Sequence, residues 1–294
     1  MKLLIAGSGS FVGLELIKQC QERGIEYVGL DAIATVPNTI TADIRDRNLS
    51  DRIPDGIDTV IHLAAVSRDP DCQRDPVQCY DVNVTGTVNV FEACHAKRAR
   101  QFIFASTEWV YDSFYPGSAK LESDPIDSGK LTSDYALSKL AAESALRVRH
   151  LQTGVSVTVL RFGIIYGPRP TNWSAAEHLL AAVASGEPVK IGSRATARCF
   201  VHVADIARGI LAAVGRVGHD VINIQGDALV TLGEIVDCSG RLLGKSPKVI
   251  ETNPTAPSVR NVSNAKAKVL LNWHPQVDIS AGLKSVADFL NLPA

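Results

Sequence analysis

The amino terminus of this 294-residue chain places glycines between an apolar run and a helical pattern. Residues 2–7 predict a buried strand, and a helical apolar pattern begins at Leu14. The glycines are spaced Gly7-x-Gly9-x-x-x-Gly13. Glycines let a backbone turn tightly and approach a pyrophosphate, to which the helix amino terminus offers N–H groups and a positive dipole end. The pattern therefore predicts a dinucleotide-binding unit, with an ordinary strand-to-helix turn as the alternative.

An aspartate follows the next apolar run. Asp31 ends residues 27–31, where an acid would bind the ribose hydroxyls of an adenosine. No arginine or lysine occurs among the ten residues that follow, so a ribose 2′-phosphate would meet a like charge and no cation. The sequence thus favours NAD over NADP. A helix or turn cap is the other role that a short acid often takes.

Tyr135 and Lys139 are four residues apart in a segment with helical pattern. At this spacing both side chains lie on one helix face, about one turn apart. An ammonium beside a phenol favours the phenolate, so we expect Lys139 to lower the pKa of Tyr135 and to make it a proton donor or acceptor near neutral pH. A chance pair on a solvated helix is the alternative for such a match taken alone.

A third segment, 102–107, reads as a strand that ends in the hydroxyl residues Ser106 and Thr107. In an open parallel sheet, chemistry takes place at the carboxyl ends of the strands. We therefore expect Thr107 to hydrogen-bond a substrate oxygen while Tyr135 moves its proton. A simple Ser/Thr turn is the other interpretation of these hydroxyls.

Strand and helix signals alternate to about residue 165, which predicts an α/β fold with a Rossmann-type doubly wound parallel sheet. We expect an NAD-binding domain over 1–168 and 198–225, and a smaller substrate-capping domain over 169–197 and 226–294. The cleft between them is the expected active site. The predicted strands lie near 2–7, 27–31, 59–65, 102–107 and 157–163, and the predicted helices near 11–23, 76–97 and 134–152.

Composition excludes several classes of function. Hydrophobic residues make up 46% and charged residues 21% of the chain, and the net charge of -1 leaves no electrostatic footprint for nucleic acid or an anionic membrane. No signal-peptide pattern and no apolar run of spanning length is present, so we expect a cytoplasmic protein. Six scattered cysteines without metal spacing indicate reduced thiols and no metal site.

Together these segments resemble the extended short-chain dehydrogenase/reductase family, which includes NAD-dependent nucleotide-sugar epimerases and dehydratases. The resemblance covers nearly the whole chain and extends to further motifs at 43–44, 62–65, 83–87, 161–168 and 198–205. It implies that Thr107 polarises the substrate oxygen, that Tyr135 is the acid/base, and that Lys139 also holds the nicotinamide ribose. The cofactor contacts that it implies are Gly7, Gly9, Ser10, Phe11, Val12, Gly13, Asp31, Asp43, Ile44, Leu63, Ala64, Ala65, Asn83, Ala105, Tyr135, Lys139, Phe162, Gly163 and Ile164.

The substrate side departs from the family pattern. Ile164 stands where many relatives carry a substrate-contacting asparagine, and the usual diphosphate-binding arginine near a Gly-Asp pair has no clear match. Arg198 and Arg260 are candidates for a diphosphate, because paired arginines suit its oxygens, and a surface ion-pair partner is the alternative role for either. The expected substrate residues are Ser67, Arg68, Thr107, Glu108, Arg198 and Arg260.

The residues after Thr107 bear on the reaction. Sugar-nucleotide dehydratases carry Asp-Glu there, an acid and a base, whereas this chain has Glu108 and Trp109. An indole cannot act as a base, so a 4,6-dehydratase is disfavoured. Glu108 is either a general acid or substrate acceptor, or a solvated loop acid.

These observations favour an NAD-dependent sugar-nucleotide epimerase acting at C4 of a hexose. A sugar or sugar-nucleotide reductase or dehydrogenase with the same triad is the nearest alternative. A non-enzymatic NAD-binding regulator is a more distant one, because such relatives commonly lose the tyrosine or the lysine. The resemblance also implies a homodimer, in which helices 76–97 and 134–152 of two copies pack as a four-helix bundle.

Overall fold

A computed structural model describes residues 1–34, 36–115 and 117–292 of the chain. Strands and helices alternate through its first half, as the sequence pattern predicts. The strands are β1 (Lys2–Ala6), β2 (Glu26–Asp31), β3 (Thr39–Thr41), β4 (Thr59–His62), β5 (Gln101–Thr107), β6 (Ser156–Phe162), β7 (Ile164–Tyr166), β8 (Val189–Ile191), β9 (Ala197–Arg198), β10 (Phe200–His202), β11 (His219–Ile224), β12 (Val230–Thr231), β13 (Val249–Glu251) and β14 (Val259–Arg260).

The helices complete the element order. The α-helices are α1 (Phe11–Glu22), α2 (Leu49–Arg52), α3 (Asp69–Arg74), α4 (Pro76–Tyr80), α5 (Thr87–Ala96), α6 (Asp134–Thr153), α7 (Ala175–Ser185), α8 (Val203–Ala212), α9 (Leu232–Leu242), α10 (Ala265–Leu271) and α11 (Ile279–Phe289). Short 3₁₀ turns occupy Glu108–Val110 and Ser128–Lys130, and a π-helical turn occupies Asp81–Gly86.

The central sheet has seven strands in the order β3-β2-β1-β4-β5-β6-β11. The pairs β1–β2, β1–β4, β2–β3 and β4–β5 are parallel. The strand order reverses between β1 and β4, which is where a doubly wound sheet binds ligands at the carboxyl ends of its strands. The predicted α/β fold with a Rossmann-type sheet is confirmed. Both the glycine turn after β1 and residues 63–65 after β4 lie at this switch point.

The predicted helix over 76–97 is divided into α4, a π turn and α5. Asn83 lies in the π turn, fully buried, and its side-chain amide exchanges two hydrogen bonds with the backbone of Val66 (2.8 and 3.0 Å). An extra residue in a helical turn redirects the side chains around it. The π turn thus points Asn83 at the segment that follows β4, a detail that the periodicity of the sequence does not contain.

The chain forms two compact units. The first consists of Met1–Ser113, Glu122–Arg161 and Ala207–Ile222, and the second of Phe114–Leu121, Phe162–Ile206 and Asn223–Ala294. The division into an NAD-binding and a substrate-capping domain stays a prediction. Of the segment 200–225, β11 joins the central sheet, whereas β10 pairs with β7. Among the described residues, no helix is both long and apolar enough to cross a bilayer.

The second unit has its own apolar core and three small sheets. Helices α7, α9 and α11 contribute Leu180, Ile235 and Leu283, each fully buried. Strands β12, β9 and β14 form one of the small sheets, in which β9 and β14 run parallel. The burial of several large aliphatic side chains stabilises this unit, each contributing about 1.5–3 kcal/mol.

The glycine turn is fixed by close backbone contacts. Gly7 has φ of +87°, and a Cβ there would lie 2.6 Å from the backbone nitrogen of Ala64. A Cβ on Gly13 would press against the carbonyls of Gly7 and Ser8. Ser10, where the sequence lacks a glycine, accepts a hydrogen bond from the Gly13 N–H (3.1 Å) and caps α1. The unusual spacing therefore keeps the tight turn and adds a helix cap.

Gly7→Ala should destabilise the protein more than the same substitution at a glycine that also has a positive φ but has no atoms close to the new Cβ. Gly24→Ala is the matched control, because Gly24 has φ of +64° and no atom within 4 Å of a Cβ. A left-handed alanine costs about 1–2 kcal/mol, and overpacking against Ala64 should add about 1–3 kcal/mol at Gly7 alone. Urea unfolding of both variants measures the difference, and equal losses would contradict the close approach.

Candidate active site

Helix α6 positions the Tyr135 and Lys139 side chains. It begins after Ser133, whose hydroxyl accepts the N–H of Ala136 (3.1 Å), and it ends at Gly154 in a left-handed conformation. The Tyr135 phenol forms a hydrogen bond with the Thr107 hydroxyl at the end of β5. The structure therefore brings together the three residues that the sequence predicted as a catalytic group.

Lys139 is a buried cation, with 3% of its surface exposed. Its ammonium donates to the carbonyl of Ala105 (2.9 Å) and lies 4.8 Å from the ring centroid of Phe104. Burial lowers the pKa of Lys139 to about 8, because an ammonium loses hydration there. Lys139 therefore begins to lose its proton at a pH only slightly above neutral.

The pKa of Tyr135 moves in the direction opposite to our prediction. Burial raises it to about 12, and the hydrogen bond with Thr107 lowers it only in part. The charged phenolate loses more stabilisation when it is removed from water than the neighbouring groups restore by hydrogen bonding. In this structure the ammonium of Lys139 is bound to the Ala105 carbonyl and does not offset that loss.

A pocket of about 480 Å³ lies at the switch point of the sheet. Nine of the predicted cofactor residues line it, as does Ser67, which we had assigned to the substrate. The predicted lining residues are Gly7, Gly9, Ser10, Asp31, Asp43, Ile44, Leu63, Ala64 and Ala65. The sequence missed Ala32, Ile33, Ala42, Arg45, Gln78 and Val82. In the sequence, only their positions next to motif residues could have indicated that they line the pocket.

Carboxylates dominate one wall of this pocket. Asp31 accepts the N–H of Gly9 (2.9 Å), which aligns its carboxylate with the glycine turn. Arg45 is the cation that a ten-residue window after Asp31 did not reach, and it lines the same pocket. Its guanidinium is bound by Asp43 (2.6 Å) and Asp81 (3.1 Å), and the hydrogen bonds from Arg45 hold the pKa of Asp43 below its usual range. These aspartates neutralise Arg45, so the wall disfavours a 2′-phosphate.

The remaining predicted cofactor residues have different surroundings. Phe11 and Val12 are half-buried in the first turn of α1, and Ala105 accepts the ammonium of Lys139. Asn83 is buried against the Val66 backbone, so its direct role here is to hold the segment after β4. Phe162, Gly163 and Ile164 belong to the second unit, where they connect β6 with β7.

The predicted substrate residues fall into two groups. In the first unit, Glu108 is completely buried directly after Thr107, and Arg68 is exposed at the start of α3. In the second unit, Arg198 and Arg260 are register partners on the parallel strands β9 and β14. Side chains of paired residues project to the same face of a sheet, so this register places the two arginines side by side. Arg198 also donates to the Ser258 carbonyl (2.6 Å), and Arg260 lies 5.6 Å from the Phe114 ring.

A buried ion pair beside the catalytic group was missed. Glu143 and Arg161 are joined at 2.6 Å, with side chains only 7% and 6% exposed. Ser106 donates to Glu143 (2.5 Å), and the Arg161 guanidinium lies 5.0 Å from the Tyr111 ring. In the sequence, Glu143 follows Lys139 by four residues, which was a signal that it shares the same helix face.

Comparisons with known proteins agree with this geometry. Residues 3–224 match the model of the NAD dependent epimerase/dehydratase family. A UDP-glucuronate 4-epimerase of Thermodesulfobacterium geofontis is 30% identical over 79% of this chain and 72% of its own. The crystal structure of Thermus thermophilus UDP-glucose 4-epimerase with NAD is 26% identical and superposes with a TM-score of 0.86. That of Bacillus cereus UDP-glucuronic acid 4-epimerase with UDP-glucuronic acid and NAD is 27% identical and has the same TM-score. Both cover 99% of both chains. Other relatives are named as UDP-sugar decarboxylases or as a sugar-nucleotide reductase.

The residues of the pocket fit NAD. A Cβ at Gly7 would remove the space of the tight turn after β1, and the amino terminus of α1 supplies N–H groups for a pyrophosphate. The Asp31 carboxylate at that turn suits two ribose hydroxyls. Gly7, Gly9, Ser10 and Asp31 would therefore hold the adenosine diphosphate part of the cofactor.

Asp31→Asn should reduce the preference for NAD over NADP. The amide oxygen still accepts the Gly9 N–H, so the substitution removes the charge and keeps that contact with the turn, at the loss of the longer contact with the Ile33 N–H (3.2 Å). Loss of repulsion toward a 2′-phosphate should reduce the preference by about tenfold or more. Calorimetric titration of NAD and NADP measures it, with Asp55→Asn on the exposed surface as control. An unchanged ratio would mean that Asp31 does not face the ribose.

Proposed function

Because this chain belongs to the NAD-dependent epimerase/dehydratase family, we propose that it is a 4-epimerase of nucleotide-diphosphate hexoses. It is an NAD-dependent enzyme of the extended short-chain dehydrogenase/reductase type. The observation that carries the proposal is the hydrogen-bonded pair of Thr107 and Tyr135 with the buried ammonium of Lys139 beneath it. Such a group serves proton transfer at a carbon-bound hydroxyl.

In the proposed reaction, Thr107 binds the hydroxyl of the sugar carbon and Tyr135 removes its proton. NAD held by Gly7, Gly9, Ser10 and Asp31 would supply the hydride acceptor, and inversion at the carbon requires the resulting ketone to turn its other face to the cofactor before the hydride is returned. Tyr135 then gives the proton back to the new hydroxyl. Tyr135 has to be a phenolate to accept this proton, and because burial disfavours the phenolate, the ammonium of Lys139 has to stabilise it before the proton is transferred.

The residues around the triad support epimerisation over dehydration. Elimination of water needs an acid directly after the catalytic threonine and a base directly after that acid. Trp109 occupies the position of the base, and its indole has no basic lone pair. A reductase would use the same triad, so the retention of the cofactor through turnover is what separates the two activities. The named epimerases among the relatives favour the first.

We further propose that Arg198 and Arg260 bind the diphosphate of the substrate. Their pairing in register on β9 and β14 supports this role, because two guanidinium groups side by side can each offer two donors to phosphate oxygens. The structures with UDP-glucose and UDP-glucuronic acid indicate the substrate class. A uridine diphosphate sugar is therefore the first substrate to test.

A homodimer formed by the helical segments 76–97 and 134–152 is also proposed. Apolar side chains are exposed on these segments: Val77 is 79%, Val148 42% and Leu151 67% exposed. Exposed apolar side chains that form a contiguous patch mark interaction surfaces, and the proposal takes these three as part of one. Light scattering should give twice the chain mass for the native protein and one chain mass for a Leu151→Glu variant; a monomeric native protein would refute the dimer.

Tyr135→Phe should abolish turnover while leaving cofactor binding intact. Loss of the proton acceptor should lower the rate of UDP-glucose and UDP-galactose interconversion by about 10²- to 10⁴-fold. Tyr27→Phe is the control, because that phenol only accepts a surface hydrogen bond from Gln21. In parallel, mass spectrometry of the denatured native protein should release stoichiometric NAD. An active Tyr135→Phe enzyme would refute the mechanism.

Arg260→Gln should weaken substrate binding more than it slows chemistry. Removal of one charge-assisted contact should raise KM for the UDP-sugar about tenfold, with kcat nearly unchanged. Arg194→Gln provides the control, since Arg194 pairs with Asp237 on the exposed surface of the same unit. A KM equal to that of the control would show that Arg260 does not bind the diphosphate.

A further inference from the structure

Helix α6 carries a third polar residue in line with Tyr135 and Lys139. Glu143 follows Lys139 by four residues, as Lys139 follows Tyr135, so the three side chains form one stripe along the helix. Glu143 is 7% exposed, although an unpaired carboxylate is rarely buried. The proposed proton transfer gives Glu143 no role, although its position in the stripe and its burial indicate one.

The carboxylate of Glu143 is held from two strands. Ser106 on β5 donates to its Oε1 (2.5 Å), and Arg161 on β6 donates from Nε to Oε1 (3.0 Å) and from Nη2 to Oε2 (2.6 Å). A two-pronged arginine contact fixes orientation as well as distance. Glu143 therefore joins α6 to two neighbouring strands of the central sheet.

This junction lies directly beneath the catalytic hydroxyl. Ser106 and Thr107 are consecutive at the end of β5, and both side chains contact residues of α6. The hydrogen bond from Ser106 to Glu143 holds the strand end against α6. The same stretch of strand then presents Thr107 to Tyr135. A shift of α6 along β5 would break the Ser106 contact and the Thr107 contact together.

We propose that Glu143 is a positioning residue of the active site: its carboxylate fixes the helix of Tyr135 and Lys139 against the strand of Thr107, and its charge keeps Lys139 in the ammonium form. The inference rests on the proposed function in taking these three residues as the catalytic group. Glu143 itself acts through Lys139 and Ser106 and does not touch the reacting atoms.

The charges around Lys139 are consistent with this role. Burial lowers its pKa to about 8, and the interactions with Cys79 and, next in size, with the charge of Glu143 act in the opposite direction. The buried thiol of Cys72 has a raised pKa, so it remains neutral in this range, and burial lowers the pKa of His62 to about 3. The titratable and charged groups that face Lys139 are Tyr135 and Glu143 on α6, His62 on β4, Cys72 on α3, Cys79 on α4 and, beyond Glu143, Arg161 on β6.

The proposal is tested by the titration of Lys139 itself. NMR of protein with ¹³C-labelled lysine follows each ammonium, and a Lys139→Met variant assigns the signal. In Glu143→Gln the midpoint of Lys139 should fall by about one pH unit or more. In Glu92→Gln it should stay at the native value, since Glu92 on α5 pairs at the surface with Arg149 on α6, far along that helix from Lys139.

A second variant separates the effect of the Glu143 charge from the effect of leaving Arg161 buried without its carboxylate. Glu143→Gln leaves Arg161 buried without its carboxylate, which would itself lower the pKa of Lys139 or unfold the protein. Glu143→Leu combined with Arg161→Met removes both charges and preserves packing, a replacement that proteins often tolerate. The Lys139 midpoint should remain lowered in this double variant. A return to the native midpoint would overturn the proposal.

Turnover provides the second readout. In the double variant, the basic limb of the kcat/KM profile should move to lower pH by the same amount as the Lys139 midpoint. A profile identical to that of the native enzyme would overturn the proposal, since a structural pair alone would not affect this limb. The NMR titration needs no substrate, so a failure of the proposed epimerase activity would leave its result intact.

Discussion

A lysine with 3% of its surface exposed has lost most of the water that would hydrate its charge. The active site of this protein depends on how Lys139 is held in that state. The Ala105 carbonyl, the Phe104 ring and the charge of Glu143 replace part of the lost hydration, and the pKa of the lysine still falls to about 8. Burial of Tyr135 raises the pKa of its phenol to about 12, so the two pKa values move apart. The phenol therefore forms the phenolate that proton transfer needs only when a neighbouring positive charge stabilises it.

The same arrangement requires a rigid frame. Helix α6 carries Tyr135 and Lys139, and β5 carries Thr107. The hydrogen bond from Ser106 to Glu143 joins these elements at one end of the stripe, where Glu143 also pairs with Arg161 of β6. The hydrogen bond between Thr107 and Tyr135 joins them at the other end. At the switch point of the sheet, the close approach of Gly7 to Ala64 shapes the pocket that receives the cofactor. Position and electrostatics are what a protein contributes to hydride chemistry.

Much of this could be predicted from the sequence because the signals were local. The glycine turn, the acid at Asp31 and the Tyr135–Lys139 spacing each depend on a few consecutive residues, and each lies where it was predicted. The contacts that were missed are between distant segments. Arg45 is neutralised partly by Asp81, and Ser106, Glu143 and Arg161 meet from three elements. The periodicity of a sequence does not reveal contacts between distant segments. The loss of hydration that raises the Tyr135 pKa exists only in the folded protein.

The most direct test of epimerisation follows the hydrogen at C4 of the substrate. UDP-glucose with deuterium at that carbon is incubated with the purified protein, and the products are examined by NMR and mass spectrometry. We expect UDP-galactose that retains the deuterium at C4, with no accumulation of NADH, because the hydride returns to the carbon that released it. Deuterium transferred to released NADH, or no C4 epimer from any UDP-hexose or UDP-uronate, would contradict the account.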